Sequence, residues 1–503
     1  MENLEPLLHG FGIALSGNHI FLMLIGVLLG ILVGVLPGLG APNGVSLLLP
    51  LTFGMQPVSA IILLSSMYWG ALFGGSVTSI LFNIPGEPSS VATTFDGYPM
   101  ARDGRPTTAL ATAFGSAAFG ALTGVVLITL SASWVAQVAL AFGPPEYFAV
   151  YFLAFASFVG MGGSPPIKTL VSLAIGFALA AVGIDTVSGS VRLTMGIDEL
   201  VKGISFVVAV MGLFGIGELL IAVEDEFHVK AISSKVEWRE VFRTLAGLPR
   251  YGWALLRSAV IGCWMGITPG GPTAASFMSY GIAKRLSPRH ANFGKGEPEG
   301  IIAPETADHA AGTSALLPML SLGIPGSATA AVMMGGLMIW GLNPGPMLFV
   351  EQKDFVWGLI ASMYLGNVVG LVLVLTTVPI FASILRVPFA AVAPMIVVSC
   401  AIGAYAIQNA MFDIWLMLGF GVVGYVFKKV SIPLAPFTLA LVLGSRAEDA
   451  FRLSMIGSGG DMKVFWSNGL VGSITTLAIM LLFWPLIDKA FGSVGRLWRP
   501  AKA

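Results

Sequence analysis

Four Pro-Gly pairs interrupt the hydrophobic stretches of this chain, and they mark the positions where backbone groups could do chemistry. The pairs are Pro37-Gly38, Pro85-Gly86, Pro269-Gly270 and Pro325-Gly326. Proline disfavours a helical conformation in the residue before it, and glycine tolerates a sharp turn. The sequence therefore predicts two half-helices that meet at a tip at each pair.

The residues that follow each pair favour the start of a new helix. They are Gly40 and Asn43 after the first pair, Glu87, Ser89 and Ser90 after the second, Gly271 and Thr273 after the third, and Ser327 and Thr329 after the fourth. The N-terminus of a helix carries roughly half a positive charge and free amide groups that bind anions. Because the tips contain no Lys or Arg, we expect carboxylate groups to bind at these N-termini. The hydroxyl, amide and carbonyl oxygens beside them suit a hard cation such as Na⁺.

Ionisable residues near the tips are further candidates. Glu87 directly follows the second pair, and Glu305, Asp308 and His309 lie in the apolar run APETADHAAG. An ionisable group inside a membrane segment is functional by default, whereas the same group at the membrane surface costs little. We include Glu87 and Glu305 in the predicted substrate and ion site. A proton relay through Glu305 and His309 is a second interpretation of the same run, and Asp96 of DGYPMARDG is left outside the site.

Composition sets the class of protein. The chain has 503 residues, of which 56% are hydrophobic and 10% charged, and its mean hydropathy is +0.87. A helix needs roughly 20 apolar residues to cross a bilayer, and such runs recur along the chain. Transmembrane β-strands would show alternation over about ten residues instead. We predict an all-α polytopic membrane protein with about 11–12 hydrophobic membrane segments.

The sequence contains no motif typical of metal binding or ATP hydrolysis. Cys263 and Cys400 lie in apolar segments without metal-ligand spacing, so we interpret them as core residues. The sequence contains neither the ATP-binding motif G-x-x-x-x-G-K-[ST] nor the zinc motif HExxH. We therefore predict that the chain is not an enzyme and uses no cofactor or metal, and that its coupling ion is Na⁺ or H⁺.

An internal repeat relates the four pairs. Residues 30–38 read GILVGVLPG and residues 262–270 read GCWMGITPG, and NIPGEPSSVATT from Asn83 is matched by GIPGSATAAVMM from Gly323. Irregular backbone is tolerated at membrane depth only inside protein or against a water-filled cavity. Four helix breaks at equivalent positions of the two repeats therefore predict a transport site near the membrane midplane.

Loop charges indicate the relative orientation of the two halves. The uncharged connector FGMQP of the first half corresponds to the basic loop 284–295, and the connector with Arg102 and Arg105 corresponds to the acidic loop 343–354. In both comparisons the charge of the loop differs between the two halves, which predicts inverted topology. The predicted parts are the first membrane repeat (1–223), a basic cytoplasmic connector (224–250), the second membrane repeat (251–487) and a cytoplasmic tail (488–503).

Three stretches resemble a known family: GILVGVLPGLG, SILFNIPGEPSSVATTFDGYPMARDGR and EGIIAPETADHAAGTSALLPMLSLGIPGSATAA. They are similar to TctA, the large membrane subunit of bacterial tripartite tricarboxylate transporters, over essentially the whole chain. The resemblance implies a multi-pass permease of the cytoplasmic (inner) membrane that takes up citrate-like tri- and dicarboxylates by symport with an ion. It also implies two partners, a small membrane subunit of TctB type and a periplasmic solute-binding protein of TctC type.

Other interpretations stay open at this point. A single Pro-Gly pair is more often a tolerated break in a membrane helix, and GxxxG spacing is a packing motif. A stand-alone secondary organic-anion symporter that needs no receptor is the alternative function, and an intramembrane enzyme is a more distant one. By analogy with other anion carriers that contain broken hairpins, we expect the four tips to move together against the remaining helices.

Overall fold

The computed structural model describes residues 3–36, 40–161, 165–185, 187–224, 237–268, 271–384 and 389–497. Four of the predicted site residues, Pro37, Gly38, Pro269 and Gly270, lie outside these ranges.

Helices make up nearly all of the described chain. They are α1 (Leu4–Ala14), α2 (Gly17–Val35), α3 (Gly40–Leu48), α4 (Pro57–Phe82), α5 (Val91–Arg102), α6 (Pro106–Leu140), α7 (Pro144–Met161), α8 (Pro166–Ala180), α9 (Phe206–Val210), α10 (Gly217–Glu224), α11 (Trp238–Gly247), α12 (Gly252–Ile267), α13 (Gly271–Leu286), α14 (Pro298–Ser314), α15 (Leu316–Leu322), α16 (Ala328–Ile339), α17 (Pro346–Glu351), α18 (Lys353–Ile384), α19 (Phe389–Gln408), α20 (Met411–Lys429), α21 (Leu434–Gly457) and α22 (Gly469–Leu497). The strands β1 (Gly183–Ile184) and β2 (Val191–Arg192) pair antiparallel in a short hairpin.

Five helices in the described ranges are long and apolar enough to cross a membrane. They are Gly17–Val35, Pro57–Phe82, Pro106–Leu140, Lys353–Ile380 within α18, and Met411–Lys429. Several shorter apolar helices accompany them, among them α16, which follows the fourth Pro-Gly pair. The predicted class, an all-α polytopic membrane protein, is confirmed.

The chain forms two compact units. The first contains Met1–Leu140 and Ser205–Val426, and the second contains Ala141–Ile204 and Phe427–Ala503. Each unit takes segments from both predicted repeats. The described residues of all four predicted tips belong to the first unit.

Glycines bring α2 close to α4 in the first unit. A Cβ atom added at Gly30 would lie 2.1 Å from the carbonyl oxygen of Met67, and one added at Gly34 would lie 2.1 Å from that of Ala71. These distances are far below van der Waals contact, so the two helices pack backbone to backbone. Small residues four apart produce this geometry in membrane helices.

The second repeat builds the same contact between α12 and α14. Gly262 and Gly266 occupy the motif positions of Gly30 and Gly34. Added Cβ atoms there would lie 2.4 Å from the carbonyl oxygens of Ala307 and Ala311, respectively. The internal repeat is therefore present in the packing as well as in the sequence.

In the second unit, α7 packs against α22 and α21, and α8 packs against α21. Phe148 contacts Phe451 and Phe465, with ring centroids 5.1 and 4.7 Å apart. Near the β-hairpin, Arg452 donates a hydrogen bond to Asp185 (2.7 Å), and the Asp185 carboxylate also accepts from the Val187 amide (2.9 Å). These bonds hold the pKa of the Asp185 carboxyl well below its usual range.

Candidate substrate and ion site at the helix tips

The second tip lies between α4 and α5 and is built as the sequence predicts. Asn83 ends α4 in the left-handed conformation (φ 59°), which Asn tolerates better than most residues. The Ile84 amide then donates to the Thr78 carbonyl oxygen (3.4 Å). Glu87 and Ser90 form a capping box, in which each side chain accepts a hydrogen bond from the backbone amide of the other. This box begins the next helix.

The fourth tip, between α15 and α16, repeats this construction. Gly323 ends α15 with φ 69°, and the Ile324 amide donates to the Pro318 carbonyl oxygen (3.1 Å). The Ser327 hydroxyl accepts from the Ala330 amide (3.1 Å) and caps α16. The predicted break of the helix at Pro85-Gly86 and at Pro325-Gly326 is confirmed.

The glycine of each IPG sequence is required for close approach. A Cβ atom added at Gly86 would lie 2.0 Å from the carbonyl oxygen of Gly34, and one added at Gly326 would lie 2.2 Å from that of Gly266. Each of these tips therefore packs against the helix that leads into the preceding Pro-Gly pair. Both glycines are buried, as are Pro325 and Asn43, whereas Pro85 is half-buried.

The first and third Pro-Gly pairs lie outside the described ranges, but the helices that follow them are described. Gly40 begins α3 with φ 60° and Gly271 begins α13 with φ 70°, a conformation that glycine adopts without strain. The turn Pro88–Ser90 packs against α13, and α16 packs against α3. The outgoing segments of the two repeats thus contact one another. Thr273 is half-buried in the first turn of α13.

Glu87 places a carboxylate at the N-terminus of α3. Its Oε1 atom accepts a hydrogen bond from the Ala41 amide (2.5 Å), and only 7% of the residue is exposed. A helix N-terminus stabilises such a negative charge. In this structure the protein's own carboxylate therefore binds at one of the N-termini that the sequence assigned to a substrate carboxylate.

Glu305 joins three helices in the buried interior of the first unit. Ser76 on α4 donates to both of its carboxylate oxygens (2.8 Å each), and Thr93 on α5 donates to Oε1 (2.5 Å). Glu305 itself lies on α14 and is 1% exposed. The hydroxyl donors stabilise the carboxylate without a positive partner.

Asp308 and His309 complete an acidic cluster with Glu87 and Glu305. The His309 Nδ1 atom lies 3.9 Å from a carboxylate oxygen of Glu305 and 3.9 Å from one of Asp308. The Asp308 carboxyl group lies beside the Ser89 side chain, and the Glu87 carboxyl group is close enough to repel it. No lysine or arginine in the described ranges forms an ion pair with these three carboxyl groups. The sequence prediction included Glu87 and Glu305 but omitted Asp308.

Tyr68 was also missed by the sequence prediction. Its hydroxyl lies beside Ser327 and Thr329 of the fourth tip and within electrostatic range of Glu87 and Asp308. The tyrosine is 1% exposed, and its oxygen makes no hydrogen bond of ordinary geometry with the described residues. Tyr68 precedes Asn83 in the sequence by the same number of residues as Asp308 precedes Gly323. The repeat alignment could therefore have identified them as a pair.

Asp96 has a structural role outside the cluster. Its Oδ1 atom accepts hydrogen bonds from the amides of Gly294 (2.8 Å), Gly296 (3.0 Å) and Glu297 (2.8 Å), and Tyr280 donates to Oδ2 (3.0 Å). These bonds fix the loop before α14 onto α5. The four donors satisfy a fully buried carboxylate.

Together these contacts form a polar centre inside an apolar helix bundle, with acidic groups around Glu87 and neutral hydroxyl groups around Ser327. The model of the tripartite tricarboxylate transporter TctA family matches residues 20–439. A protein described as an uncharacterised 52.8 kDa protein in the TAR-I ttuC′ 3′ region of Agrobacterium vitis is 38% identical over 484 residues, which are 95% of this chain and 95% of that protein. A second protein of Agrobacterium vitis, from the TAR-II ttuC′ 3′ region, is 37% identical over 229 residues, which are 45% of this chain and 95% of that protein. No solved structure matches significantly. The match to the family model over most of the chain confirms the resemblance seen in the motifs: the chain belongs to the TctA family of tripartite tricarboxylate transporters.

Proposed function

We propose that this chain is the permease subunit of a tripartite transporter that takes up citrate-like tri- and dicarboxylates across the bacterial cytoplasmic membrane. A periplasmic solute-binding protein of TctC type delivers the substrate, a small membrane subunit of TctB type completes the complex, and a gradient of Na⁺ or H⁺ drives uptake. Family membership and the apolar helices support a membrane-embedded permease. The helix tips support the more specific mechanism that follows.

The observation that carries the proposal is a difference between two equivalent positions. Glu87 follows Pro85-Gly86, and Ser327 follows Pro325-Gly326 at the same place in the repeat. Glu87 lies with Asp308 and Glu305 in the acidic cluster, whereas Ser327 lies with Thr329 and Tyr68 among neutral donors. We assign the acidic cluster to the coupling ion and the tips of the second repeat, including α13, to the substrate carboxylate.

Electrostatics gives this division its physical basis. Two like charges about 4 Å apart repel by about 4 kcal/mol at an effective dielectric constant of about 20. Buried carboxyl groups without cationic partners persist only when a proton or a cation neutralises part of their charge. A substrate carboxylate that enters the adjacent tips adds further negative charge. Binding of the ion therefore favours binding of the substrate, which is the requirement for symport.

The same contacts suggest which parts move. The outgoing segments of the tips contact one another across the repeats, so they can move as a body with the bound substrate and ion. We propose an elevator-like displacement of this body against the remaining helices of the first unit.

Uptake into proteoliposomes tests the proposal. Purified permease, with its small subunit, is reconstituted, the solute-binding protein is supplied, and a panel of labelled carboxylates is offered under a Na⁺ gradient or a pH gradient alone. Glu305→Gln should abolish the dependence of uptake on the driving gradient, because it removes a charge from the acidic cluster. Glu351→Gln, at an exposed position at the end of α17, is the matched control. Unchanged gradient dependence in Glu305→Gln would contradict the assignment.

The two described tips, one assigned to the ion and one to the substrate, need variants of their own. Ser89→Leu and Ser327→Leu should abolish uptake while membrane insertion stays intact, since both side chains are buried beside the acidic cluster or the Tyr68 hydroxyl. Ser473→Leu, exposed on α22, controls for added bulk. Full uptake without the solute-binding protein would favour a stand-alone symporter. Chemical conversion of a carboxylate without transport would favour an intramembrane enzyme.

A further inference from the structure

A pocket in the first unit shares no residue with the tips. It has a volume of about 320 Å³ and lies where α11, the start of α6 and the start of α14 meet. Three arginines line it: Arg105, Arg243 and Arg250. We call it the arginine pocket.

The arginine pocket carries an excess of positive charge. Its three arginines are exposed, and none of them forms an ion pair with a described residue. One carboxylate, Glu240, also lines the pocket, and the Thr108 hydroxyl donates a hydrogen bond to it. Three guanidinium groups against one carboxylate leave a net positive site. Guanidinium groups bind phosphate oxygens in pairs of parallel hydrogen bonds.

The pocket is held in shape by the docking of α11 on α6. Val241 is 1% exposed, and a Cβ atom added at Gly115 on α6 would lie 2.4 Å from a methyl group of Leu248 and 2.6 Å from one of Leu245. The Glu237 amide also donates to the Thr107 hydroxyl (3.4 Å). Arg243 therefore stands on a fixed helix, and Arg250 lies in the turn that directly follows it.

The outer face of α11 is suited to a membrane surface. Trp238 and Phe242, one helical turn apart, are 46% and 66% exposed, and their rings lie 6.2 Å apart. Arg239 and Arg243 extend from the same helix. Exposed aromatic and basic side chains on one amphipathic helix are typical of helices that lie in the lipid interface. The basic loops around α11 predict that this interface is the cytoplasmic one.

We propose that the arginine pocket binds the phosphate group of an anionic phospholipid. Its arginines recognise the phosphate, and the hydroxyls of Thr112, Thr244 and Tyr251 in the pocket wall suit the ester and glycerol oxygens. Trp238 and Phe242 favour a lipid over a free phosphate, because exposed aromatic side chains on α11 place this helix, and the pocket that its Arg243 lines, at the membrane interface. The pocket joins α6 to α14, so a bound lipid would stabilise the packing of these two helices.

Native mass spectrometry of the full chain in detergent tests the proposal with phosphatidylglycerol as the probe. Each of Arg105→Gln, Arg243→Gln and Arg250→Gln should weaken phosphatidylglycerol binding about fivefold. Arg239→Gln is the matched control, since it removes the same charge from α11 at an exposed position that does not line the pocket. It should bind phosphatidylglycerol within about twofold of the unchanged chain.

The competing outcomes are distinct. Equal weakening by Arg239→Gln would show diffuse attraction to the helix surface and would overturn the pocket. Binding of glycerol phosphate as tightly as phosphatidylglycerol would overturn the lipid as ligand and assign the pocket to a free phosphate ester. Phosphatidylcholine bound as tightly as phosphatidylglycerol would overturn recognition of the anionic headgroup. Because the pocket and the tips share no residue, these results do not depend on the transport mechanism.

Discussion

Replacement of Glu87 by glutamine tests the acidic cluster most directly, because it removes a charge and keeps the shape of the side chain. The Oε1 atom of Glu87 accepts from the Ala41 amide, and its backbone amide donates to the Ser90 hydroxyl (3.3 Å). A glutamine oxygen can accept the first bond, and the second uses only the backbone of residue 87. The Ser90 amide, which donates to the Glu87 side chain in the capping box, also donates to the carbonyl oxygen of residue 87 (3.1 Å), and the substitution keeps that acceptor. We therefore expect Glu87→Gln to keep the geometry of the first two tips.

The energetic cost follows from these bonds. A hydrogen bond to a charged group contributes about 1.5–3 kcal/mol and one between neutral groups about 0.5–1.5 kcal/mol, so Glu87→Gln should weaken this bond by about 1–2 kcal/mol, whereas the loss of the charge relieves repulsion from Asp308 and opposes that cost. Glu87→Ala also leaves the buried Ala41 amide without an acceptor, which costs a further 1–3 kcal/mol or so. Thermal unfolding of the purified proteins should therefore give a lower melting temperature for Glu87→Ala than for Glu87→Gln.

Transport measures the role of the charge separately from stability. With the solute-binding protein supplied, the concentration of driving ion that half-saturates uptake should rise at least about tenfold in Glu87→Gln, the equivalent of about 1.4 kcal/mol in ion binding. Glu351→Gln should leave it unchanged. An unaltered half-saturating concentration in a folded Glu87→Gln protein would refute the assignment of the acidic cluster to the coupling ion.

Three further predictions concern packing, the loop before α14 and the second unit. Gly86→Ala should abolish uptake and lower the yield of folded protein, since its Cβ atom would lie 2.0 Å from a carbonyl oxygen, whereas Gly281→Ala on α13 meets no atom within 4 Å and should be tolerated. Asp96→Ala should destabilise the protein by about 3 kcal/mol or more, measured by thermal unfolding, because it leaves buried amides unsatisfied; an unchanged melting temperature would exclude a structural role. Asp185 has a lowered pKa in the folded protein, so its bond to Arg452 stabilises at neutral pH and is lost as pH falls below about 4. Asp185→Asn should flatten the acid side of the plot of melting temperature against pH, and a plot identical to that of the unchanged chain would contradict this origin.

The fold could be predicted from the sequence wherever local chemistry decides the backbone. Proline disfavours a helical residue before it and glycine tolerates a sharp turn, so the duplicated Pro-Gly pairs predicted the breaks at Pro85-Gly86 and Pro325-Gly326. GxxxG spacing, which the sequence offered only as an alternative interpretation of the breaks, accounts for the backbone contacts of Gly34 and Gly266, because small residues four apart allow helices to approach. The inverted orientation of the repeats stays a prediction.

The site was less accessible to sequence reasoning because its bonds join distant residues. Glu87 reaches Ala41 across a sequence separation of 46 residues, and Thr93 reaches Glu305 across 212. No local pattern shows that an acidic residue will bind the N-terminus of another helix in place of a substrate. Asp96 illustrates the same limit, because its three amide donors lie about 200 residues later in the chain.

The repeat provides a nearly symmetric frame, and the proposed coupling depends on the positions where the two copies differ. Glu87 corresponds to Ser327, and Asp308 corresponds to Tyr68. Asp308 lies beside Ser89 in the first repeat, whereas Tyr68 lies beside Ser327 in the second, so each helix contributes a side chain to the tip of the opposite repeat. Both acidic residues, Glu87 and Asp308, therefore lie at the tip of the first repeat. Both neutral hydroxyl residues, Ser327 and Tyr68, lie at the tip of the second repeat. A symmetric pair of acids would repel a carboxylate from every tip, and a symmetric pair of hydroxyls would bind no cation. In the proposed mechanism, this asymmetry provides one centre with two adjacent binding sites of opposite charge preference.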